Sequence, residues 1–239
     1  MSRAAIVLNQ SDIDLMPQEI RNLIMQSGYA EQGSDEWLEE RLGNVTASNV
    51  KEVVARDRYN KPYKGYYDYM IELAIERVTG KAKRFSNRYM SHGNDNEDAA
   101  ADLYEQLYPD QVVQTCGFEK HSTLAAGASC DRLINHDGTL EIKAPNTDTL
   151  VRYMVSMLGE EDDDYELVSM LGLKGNEWEY YAEQIQMQLW ITGRQWCDFV
   201  VYDPDMTEDS NLVIKRVHRD NIWIELTLEP RVVEFLTKV

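Results

Sequence analysis

An aspartate, a glutamate and a lysine stand close together in the middle of the sequence, as Asp131, Glu141 and Lys143. Two carboxylates can hold Mg²⁺, which prefers oxygen ligands and keeps several of its waters. A neighbouring lysine can orient or deprotonate an attacking water, and it can offset charge that builds on a phosphoryl group. These residues are therefore candidates for metal-assisted hydrolysis of a phosphate ester.

Two short strands are predicted to position these groups, at residues 133–134 and 140–142, with a hairpin turn at 135–138 between them. Because strand side chains alternate, the glutamate and the lysine of the second strand project from one face. The hairpin then brings Asp131 back beside them. The spacing predicts one compact site.

The spacing Asp-x9-Glu-x-Lys is also the core motif of the PD-(D/E)XK nuclease superfamily. Each of these residue types is common, and a Glu-x-Lys strand is more often a solvated strand face. The motif alone therefore leaves both interpretations open, and the rest of the chain has to decide between them.

The composition indicates a folded chain in a reducing compartment. Its 239 residues, 43% of them hydrophobic and 10% aromatic, suffice for one large domain. No apolar run approaches the length of a membrane span, and the N-terminal stretch lacks the pattern of a signal peptide. The cysteines are odd in number and unrelated in spacing, which favours neither a disulfide framework nor a zinc site. We expect a cytoplasmic protein.

The net charge of -18 argues against a protein that coats nucleic acid electrostatically. Much of the excess lies in runs such as residues 160–164, which we expect to be solvated. An acidic nuclease remains possible in physical terms if its positive charge is concentrated in one channel and its carboxylates bind metal.

A first candidate phosphate site lies near the start of the chain. Ser34 predicts the N-terminus of a short helix whose apolar side includes Trp37. Arg41 ends this helix, and the hydroxyls of Thr46 and Ser48 begin the next. Basic and hydroxyl groups beside a helix N-terminus suit a phosphate. The alternative is that these groups only cap the two helices.

Two further stretches carry polar groups of interest. Residues 56–69 are basic and rich in tyrosine, a composition that can stack bases and hold phosphates, or simply form a surface loop before the helix at 67–79. The helix predicted at 94–108 carries Glu97 in its first turn. That position suits the helix dipole and also leaves the carboxylate available to a metal site.

An amphipathic helix predicted after residue 177 places Tyr181, Gln184 and Gln188 on one face. Such glutamines are usually surface residues, but here they can hydrogen-bond a phosphate or the lysine. Between Pro145 and this helix we expect a less regular, acidic region. Two strands and a C-terminal helix from residue 221 close the chain.

Several segments resemble, in order, the lambda exonuclease family, the phage recombination nucleases of the same superfamily. The resemblance covers roughly residues 33–205 and rests on six segments: DEWLEERLGNVTAS, GNDNEDAA, GASCDRL, TLEIKAP, YAEQIQMQLWITG and WCDFVVYDP. Each segment is modest, and their shared order makes chance an unlikely explanation.

The fold we expect is α/β: a mixed central β-sheet flanked by helices, with a restriction-endonuclease-like core. Residues 1–239 are predicted to form a single nuclease domain with its core at about 33–205. Within it, residues 150–179 are predicted to be an acidic insertion that points away from DNA or contacts a partner. Residues 221–239 are predicted to be a closing helix.

The resemblance implies a metal-dependent exonuclease that digests one strand of linear duplex DNA from 5′ to 3′ and releases 5′-mononucleotides. It implies that Asp131, Glu141, Glu97 and the backbone carbonyl of Ile142 bind two Mg²⁺ ions, for which Mn²⁺ substitutes. Lys143 is then expected to position the attacking water. Gln184 matches the glutamine of the family's active site.

The substrate-binding residues follow from the same resemblance. Arg41, Ser48 and Ser129 fall where the family binds the 5′-terminal phosphate. Arg88 falls where the family has a DNA-contacting lysine, and Met90 where a wedge residue splits the duplex end. The chain departs from the family's Pro-Asp-Gly at the first carboxylate, where it has Cys-Asp-Arg, which puts the local turn geometry in doubt.

The implied partners are double-stranded DNA with a free 5′ end, two further copies in a homotrimeric ring, and a single-strand annealing protein. The implied setting is the cytoplasm of a bacterial host, with no membrane. Two alternatives stay open at this point. One is an endonuclease or repair nuclease of the same superfamily, and the other is a non-catalytic acidic protein that mimics DNA or binds a partner.

Overall fold

The protein is described by a computed structural model that covers residues 30, 32–81, 88–161 and 181–239. Its largest element is a five-stranded sheet, hereafter the central sheet, in the order β2-β5-β6-β7-β8. The strands are β2 (Val113–Thr115), β5 (Arg132–Ile134), β6 (Gly138–Lys143), β7 (Trp196–Tyr202) and β8 (Leu212–His218). The catalytic strand predicted from sequence, β6, lies in the middle of this sheet.

The sheet is mixed, as expected. Strand β6 pairs antiparallel with β5 and parallel with β7, while β7 and β8 form an antiparallel pair. The β5–β6 turn passes through Asn135 at φ 47, a left-handed conformation that asparagine tolerates better than most residues. Arg194 stabilises this hairpin by donating to the carbonyls of Ile134, Asn135 and Gly138.

Helices cover both faces of the central sheet. The described helices are α1 (Asp35–Arg41), α2 (Val50–Val54), α3 (Lys64–Thr79), α4 (Arg88–Leu107), α5 (Thr147–Glu161), α6 (Ala182–Thr192), α7 (Asn221–Trp223) and α8 (Glu229–Leu236). On one face α4 packs Tyr104 against Leu140 and Ile142. On the other face α5 and α6 pack around Phe199. Leu140 and Ile142 of β6 thus point into the core beneath α4. Glu141 and Lys143 therefore point to the opposite face, which α6 covers.

A small sheet stands beside the central one and joins the N-terminal and C-terminal parts of the chain. Its strands are β1 (Val45–Thr46), β3 (Glu119–Lys120) and β4 (Ala126–Ala128), in the order β1-β4-β3. A core containing Tyr66 of α3 and Phe235 of α8 packs against it. Between α7 and α8 the chain makes a π-helical turn (Ile224–Leu228), so the predicted closing helix is present with an interruption.

The structure confirms the α/β fold with a mixed sheet, and it differs from expectation after Pro145. Instead of irregular chain, residues there form α5, because Leu150 and Tyr153 find a core around Phe199. Of the predicted acidic insertion, residues 162–179 lie outside the described residues. Within the described part of the chain, no helix has the length and apolar character needed to cross a membrane.

Candidate active site

The β5–β6 hairpin brings Asp131 against the catalytic strand, as the spacing predicts. Asp131 directly precedes β5, and its backbone N–H donates to the carbonyl of Leu140 at 3.1 Å. Its carboxylate Oδ2 accepts the backbone N–H of Ile142 at 2.6 Å. In an antiparallel pair, the N–H and C=O groups of any one residue point to the same edge of its strand. The Ile142 carbonyl therefore also leaves β6 on the side of Asp131.

Glu141 is the most heavily contacted carboxylate of the site, and only 1% of the residue is exposed. Its Oε1 accepts from Lys143 Nζ at 2.5 Å and from Gln184 Nε2 at 2.5 Å. Its Oε2 accepts from Gln188 Nε2 at 2.6 Å. Three hydrogen-bond donors thus converge on Glu141 from β6 and α6, and they fix the orientation of the carboxylate.

The two glutamines of α6 therefore bind differently from the sequence-based expectation. They lie on one helix face, as predicted, but they donate to Glu141 rather than to a phosphate or to the lysine. Gln188 is fully buried and was not among the predicted site residues. Its Nε2 also donates to the carbonyl of Ser129 at 3.0 Å. Its i+4 spacing from Gln184 was the available signal.

The electrostatics of the site show an excess of negative charge. Burial and the nearby Glu141 raise the pKa of Asp131 to about 8, although Lys143 opposes this. Burial, with a contribution from Glu141, also raises the pKa of Glu97 above its ordinary value. Burial alone would lower the pKa of Lys143, but Glu141 and Asp131 together raise it. Lys143 is therefore an ammonium, and it faces three acidic groups.

This donor set fits a hard divalent cation. Three carboxyl groups from β5, β6 and α4 influence one another's protonation around one lysine, and a cation with oxygen preference relieves such repulsion. Among the described residues, no three acidic, His or Cys side chains already stand at metal-ligand spacing. Glu141 instead accepts from Lys143 and the two glutamines, which leaves about one of the four lone-pair directions of its carboxylate for a cation.

The predicted phosphate site also comes together, and an aromatic residue joins its parts. Arg41 Nη2 donates to Ser48 Oγ at 3.3 Å. The Arg41 guanidinium lies 4.0 Å from the centroid of the Trp37 ring. Trp37 Nε1 donates to Ser129 Oγ at 2.9 Å. Trp37 thus links Arg41 and Ser48 to Ser129, which lies far from them in the sequence.

Trp37 and Phe118 complete this phosphate site, and neither was predicted for it. Phe118 also lies near the guanidinium, with 5.6 Å between Arg41 Cζ and its ring centroid. Its approach needs Gly127 in β4, because a Cβ there would meet the Phe118 ring at 2.4 Å. Burial lowers the pKa of Arg41, with Tyr69 and Glu76 opposing, and the group remains a cation.

Gln188 connects the two parts of the site. One amide group donates both to the Glu141 carboxylate and to the Ser129 backbone, whose side chain belongs to the phosphate site. The carboxylate cluster and the phosphate site are therefore held at a fixed separation by α6. Arg88 and Met90 lie at the start of α4, and their side chains are outside the described residues.

Comparison with known proteins identifies the family. Residues 36–195 match the family model described as YqaJ-like viral recombinase domain. Among solved structures, an alkaline exonuclease (LHK-Exo) from Laribacter hongkongensis is 32% identical with a TM-score of 0.70, over 86% of this chain and 92% of that one. Its complex with dAMP gives 33% identity over the same shares and the same TM-score.

Two further proteins are more distantly similar to this chain. A phage related exonuclease from Haemophilus somnus 129PT shares the fold, with a TM-score of 0.59 and 15% identity over 82% of this chain and 92% of that one. An uncharacterized protein of Acanthamoeba polyphaga mimivirus is 24% identical over 196 residues, which are 77% of this chain. The match covers 32% of that viral protein, so the chain spans about a third of its length.

Proposed function

Because the chain belongs to the YqaJ-like viral recombinase family, which is of the lambda exonuclease type, we propose that it is a metal-dependent 5′-to-3′ exonuclease. It degrades one strand of linear double-stranded DNA to 5′-mononucleotides, in phage-type homologous recombination. The observation that carries this proposal is the pairing of a buried carboxylate–lysine cluster with a separate arginine–serine site through Gln188. The relative solved with dAMP, a 5′-mononucleotide, supports the product class.

In this mechanism the carboxylate cluster holds the cofactor. Asp131, Glu141, Glu97 and the Ile142 carbonyl would hold Mg²⁺, two ions by analogy with the family, with Mn²⁺ as a substitute. When bound, Mg²⁺ supplies Lewis acidity that lowers the pKa of water and polarises the scissile phosphate. Asp131 reaches this site from the edge of β6, where it accepts a backbone N–H, and Glu141 reaches it from the face of the same strand.

Lys143 orients the nucleophile and balances charge. Its raised pKa keeps Nζ protonated, so it donates hydrogen bonds to the attacking water and to the phosphate oxygens rather than acting as a base. Gln184 and Gln188 keep the Glu141 carboxylate from rotating while substrate enters. Fixed donors aimed at developing charge are the arrangement that lowers a phosphoryl-transfer barrier.

Arg41 gives the enzyme its preference for a DNA end. A 5′-terminal phosphate carries more negative charge than an internal phosphodiester, and a guanidinium binds it through charge-assisted hydrogen bonds. The rings of Trp37 and Phe118 lie near the Arg41 guanidinium and help to hold it in place. An internal phosphodiester carries a single negative charge and binds such a site less strongly, which favours an exonuclease over an endonuclease.

The assembly and setting follow from the resemblance alone. We propose a homotrimeric ring around the duplex, cooperation with a single-strand annealing protein, and a place in the cytoplasm of a bacterial host. An acidic DNA mimic on the same fold is the alternative favoured by the net charge of -18. It predicts a folded protein that digests no DNA.

The test is Mg²⁺-dependent digestion of three substrates: a linear duplex with 5′-phosphates, the same duplex with 5′-hydroxyls, and a closed circle. We expect loss of the linear duplexes only, faster with 5′-phosphates. Lys143→Ala abolishes digestion of both, whereas Arg41→Ala removes mainly the advantage of the 5′-phosphate. Lys81→Ala, an exposed lysine beyond α3, is the matched control and keeps wild-type rates. Cutting of the circle, or no digestion by folded wild type, contradicts the proposal.

A further inference from the structure

Arg132 directly follows Asp131, the first carboxylate of the candidate active site, and it begins β5. In the family's Pro-Asp-Gly motif this position is a glycine, which has no side chain. Side chains two apart on a strand share a face, so Arg132 lies on the same side of the central sheet as Ile134. Ile134 packs in the core that contains Tyr104 of α4. The Arg132 side chain therefore extends towards α4.

The Arg132 guanidinium bridges two acceptors. Its Nη1 donates to the backbone carbonyl of Asp131 at 2.7 Å, and its Nη2 donates to Asp98 Oδ1 of α4 at 2.5 Å. Because a guanidinium is planar and its donors point in fixed directions, a bridge of this kind fixes the separation of its acceptors. Arg132 thus joins α4 to the backbone of a proposed metal ligand.

This bridge differs from an ordinary surface ion pair. Helix α5 carries such a pair, in which Arg152 Nε lies 2.9 Å from Asp148 Oδ2 and both side chains are exposed. Pairs of that kind contribute little stability, because ordering two mobile side chains offsets their attraction. The Arg132 side chain is only 20% exposed and is already held by the Asp131 carbonyl. Its contact with Asp98 therefore restrains the helix rather than a mobile arginine.

Asp98 directly follows Glu97, the proposed metal ligand of α4. Burial raises the pKa of Glu97, and the charges of Lys143 and Arg132 oppose that rise. Arg132 therefore lies close enough to act on the Glu97 carboxylate, although Asp98 is its hydrogen-bond partner. The other carboxylates of the site come from the β5–β6 hairpin, so a cation can bind all of them only if α4 is held against that hairpin.

A second polar contact holds α4 further along its length. The hydroxyl of Tyr104 donates to Asp198 Oδ2 of β7 at 2.6 Å. Tyr104 follows Asp98 along the helix by a rise of about 9 Å. The Arg132 contact therefore fixes the part of α4 that carries Glu97, and the Tyr104 contact fixes the part towards its C-terminus.

We propose that Arg132 is a positioning residue of the metal site, which holds Glu97 beside Asp131 by joining Asp98 to the Asp131 carbonyl. In this role Arg132 itself contacts neither the cation nor the DNA. The inference rests on the proposed function, because it takes Glu97 and Asp131 as ligands of the divalent cation. A glycine at this position cannot form such a bridge, so the family's motif does not supply it.

The charge of Arg132 and its bridge predict opposite effects on metal binding. A guanidinium repels a nearby divalent cation, so loss of the charge alone would strengthen metal binding. Loss of the bridge frees Glu97 to move away from Asp131, which weakens metal binding. The direction of the change therefore separates the two roles.

The test is the affinity for Mn²⁺, measured by isothermal titration calorimetry without DNA. The variant Arg132→Met removes the charge and the donors and keeps an unbranched side chain. Arg152→Met makes the same change in the exposed pair of α5 and is the matched control. We expect Arg132→Met to weaken Mn²⁺ binding about ten-fold, the lower end of the effect of residues that support metal ligands, and Arg152→Met to keep wild-type affinity. Wild-type or tighter binding by Arg132→Met overturns the proposal.

Digestion of a linear duplex gives a second readout. Arg132→Met should need about ten times more Mg²⁺ for half-maximal activity, because its defect lies in metal binding. Its KM for DNA at saturating Mg²⁺ should stay at the wild-type value. A raised KM for DNA with a wild-type Mg²⁺ requirement contradicts a role at the metal site.

Two further variants assign the effect to Glu97 and guard against a folding defect. In the Glu97→Gln background, Arg132→Met is expected to weaken Mn²⁺ binding no further, because the carboxylate that Arg132 positions is gone. Asp98→Asn changes a side chain that is 76% exposed, so the fold is retained. It should weaken Mn²⁺ binding about two- to five-fold in wild type and not at all in Glu97→Gln. Losses that persist in Glu97→Gln overturn the proposal.

The two proposals fail in different ways. A folded wild-type protein that neither digests DNA nor binds Mn²⁺ refutes the nuclease function. A wild-type protein that digests linear DNA, beside an Arg132→Met variant with wild-type affinity for Mn²⁺, refutes the positioning role alone.

Discussion

Gln188 provides the sharpest test of how the site is built, through the substitution Gln188→Met. Methionine is similar in size and unbranched, so it can occupy the same buried space. It removes the donors to Glu141 Oε2 at 2.6 Å and to the Ser129 carbonyl at 3.0 Å. It also removes Gln188 Oε1, a buried acceptor without a hydrogen-bond partner among the described residues.

The expected loss of stability follows from these contacts. A hydrogen bond to a charged group contributes about 1.5–3 kcal/mol, and one to a carbonyl about 1 kcal/mol. Removing the unpaired Oε1 offsets about 1 kcal/mol of this loss. We therefore expect the free energy of unfolding of Gln188→Met to fall by about 1.5–3 kcal/mol, measured by denaturant unfolding.

The effect on activity is expected to be larger than this stability loss implies. Glu141 loses a donor that orients its carboxylate, and losing such a partner of a metal ligand typically costs about 10–100-fold in metal affinity or activity. We expect kcat on linear duplex DNA to fall by that factor and half-maximal activity to need more Mg²⁺. Both are measured at a temperature where the variant is fully folded.

Gln186→Met is the matched control, because Gln186 lies two residues earlier on α6 and is also buried. Its Nε2 donates to the His218 carbonyl at 2.8 Å, and its Oε1 accepts from Asp220 N–H at 2.8 Å. The control loses a similar number of hydrogen bonds and leaves Glu141 untouched. It should lose similar stability and keep wild-type kcat. Equal kcat in the two variants would refute a positioning role for Gln188.

Three further results are expected. Folding raises the pKa of Asp131 from 3.8 to about 8, so the metal-free protein loses stability as the pH rises from about 4 to about 8. Asp131→Asn removes this loss. In EDTA, its free energy of unfolding should exceed that of wild type by on the order of 2–5 kcal/mol at pH 8.5 and by nearly nothing at pH 4. A difference that does not change with pH contradicts this prediction. Mg²⁺ at 100 times its Kd should stabilise wild type by about 2.7 kcal/mol and Asp131→Asn by less, and equal thermal shifts would exclude Asp131 as a ligand. Trp37→Phe keeps a ring beside Arg41 but loses the bond to Ser129, so the rate advantage of a 5′-phosphate should fall about five-fold with 5′-hydroxyl rates unchanged.

The hairpin and its three charged residues were predictable because their order is local. Side chains alternate along a strand, so Glu141 and Lys143 must share one face. A four-residue turn brings the chain back, so Asp131 lies beside them. The structure has this arrangement, and the Asp131 carboxylate accepts the backbone N–H of Ile142. The thirteen residues from Asp131 to Lys143 suffice for such a prediction.

The second half of the site was less accessible to sequence reasoning. Spacing placed Gln184 and Gln188 on one helix face, but it does not reveal which strand that face will meet. Their partner, Glu141, lies 43 and 47 positions away. Trp37 was interpreted as an apolar helix residue, which it is, and nothing local indicated that its Nε1 reaches Ser129 across the fold.

The helix α5 was missed for a related reason. Its first turns carry Thr147 and Thr149, which have modest helix propensity, and an acidic run follows. The packing of Leu150 and Tyr153 against the central sheet outweighs those local preferences. Tertiary contacts of this kind commonly decide whether a short amphipathic segment becomes helical.

The order in which nucleotides leave a linear duplex tests the proposed 5′-to-3′ exonuclease activity most directly. A duplex carries different labels in the 5′-terminal and 3′-terminal nucleotides of one strand, and digestion with Mg²⁺ is followed from the first turnover. We expect the 5′-terminal label to appear first, as a mononucleotide, and the 3′-terminal label to appear last. First release from the 3′ end, or internal fragments that carry either label, would contradict it.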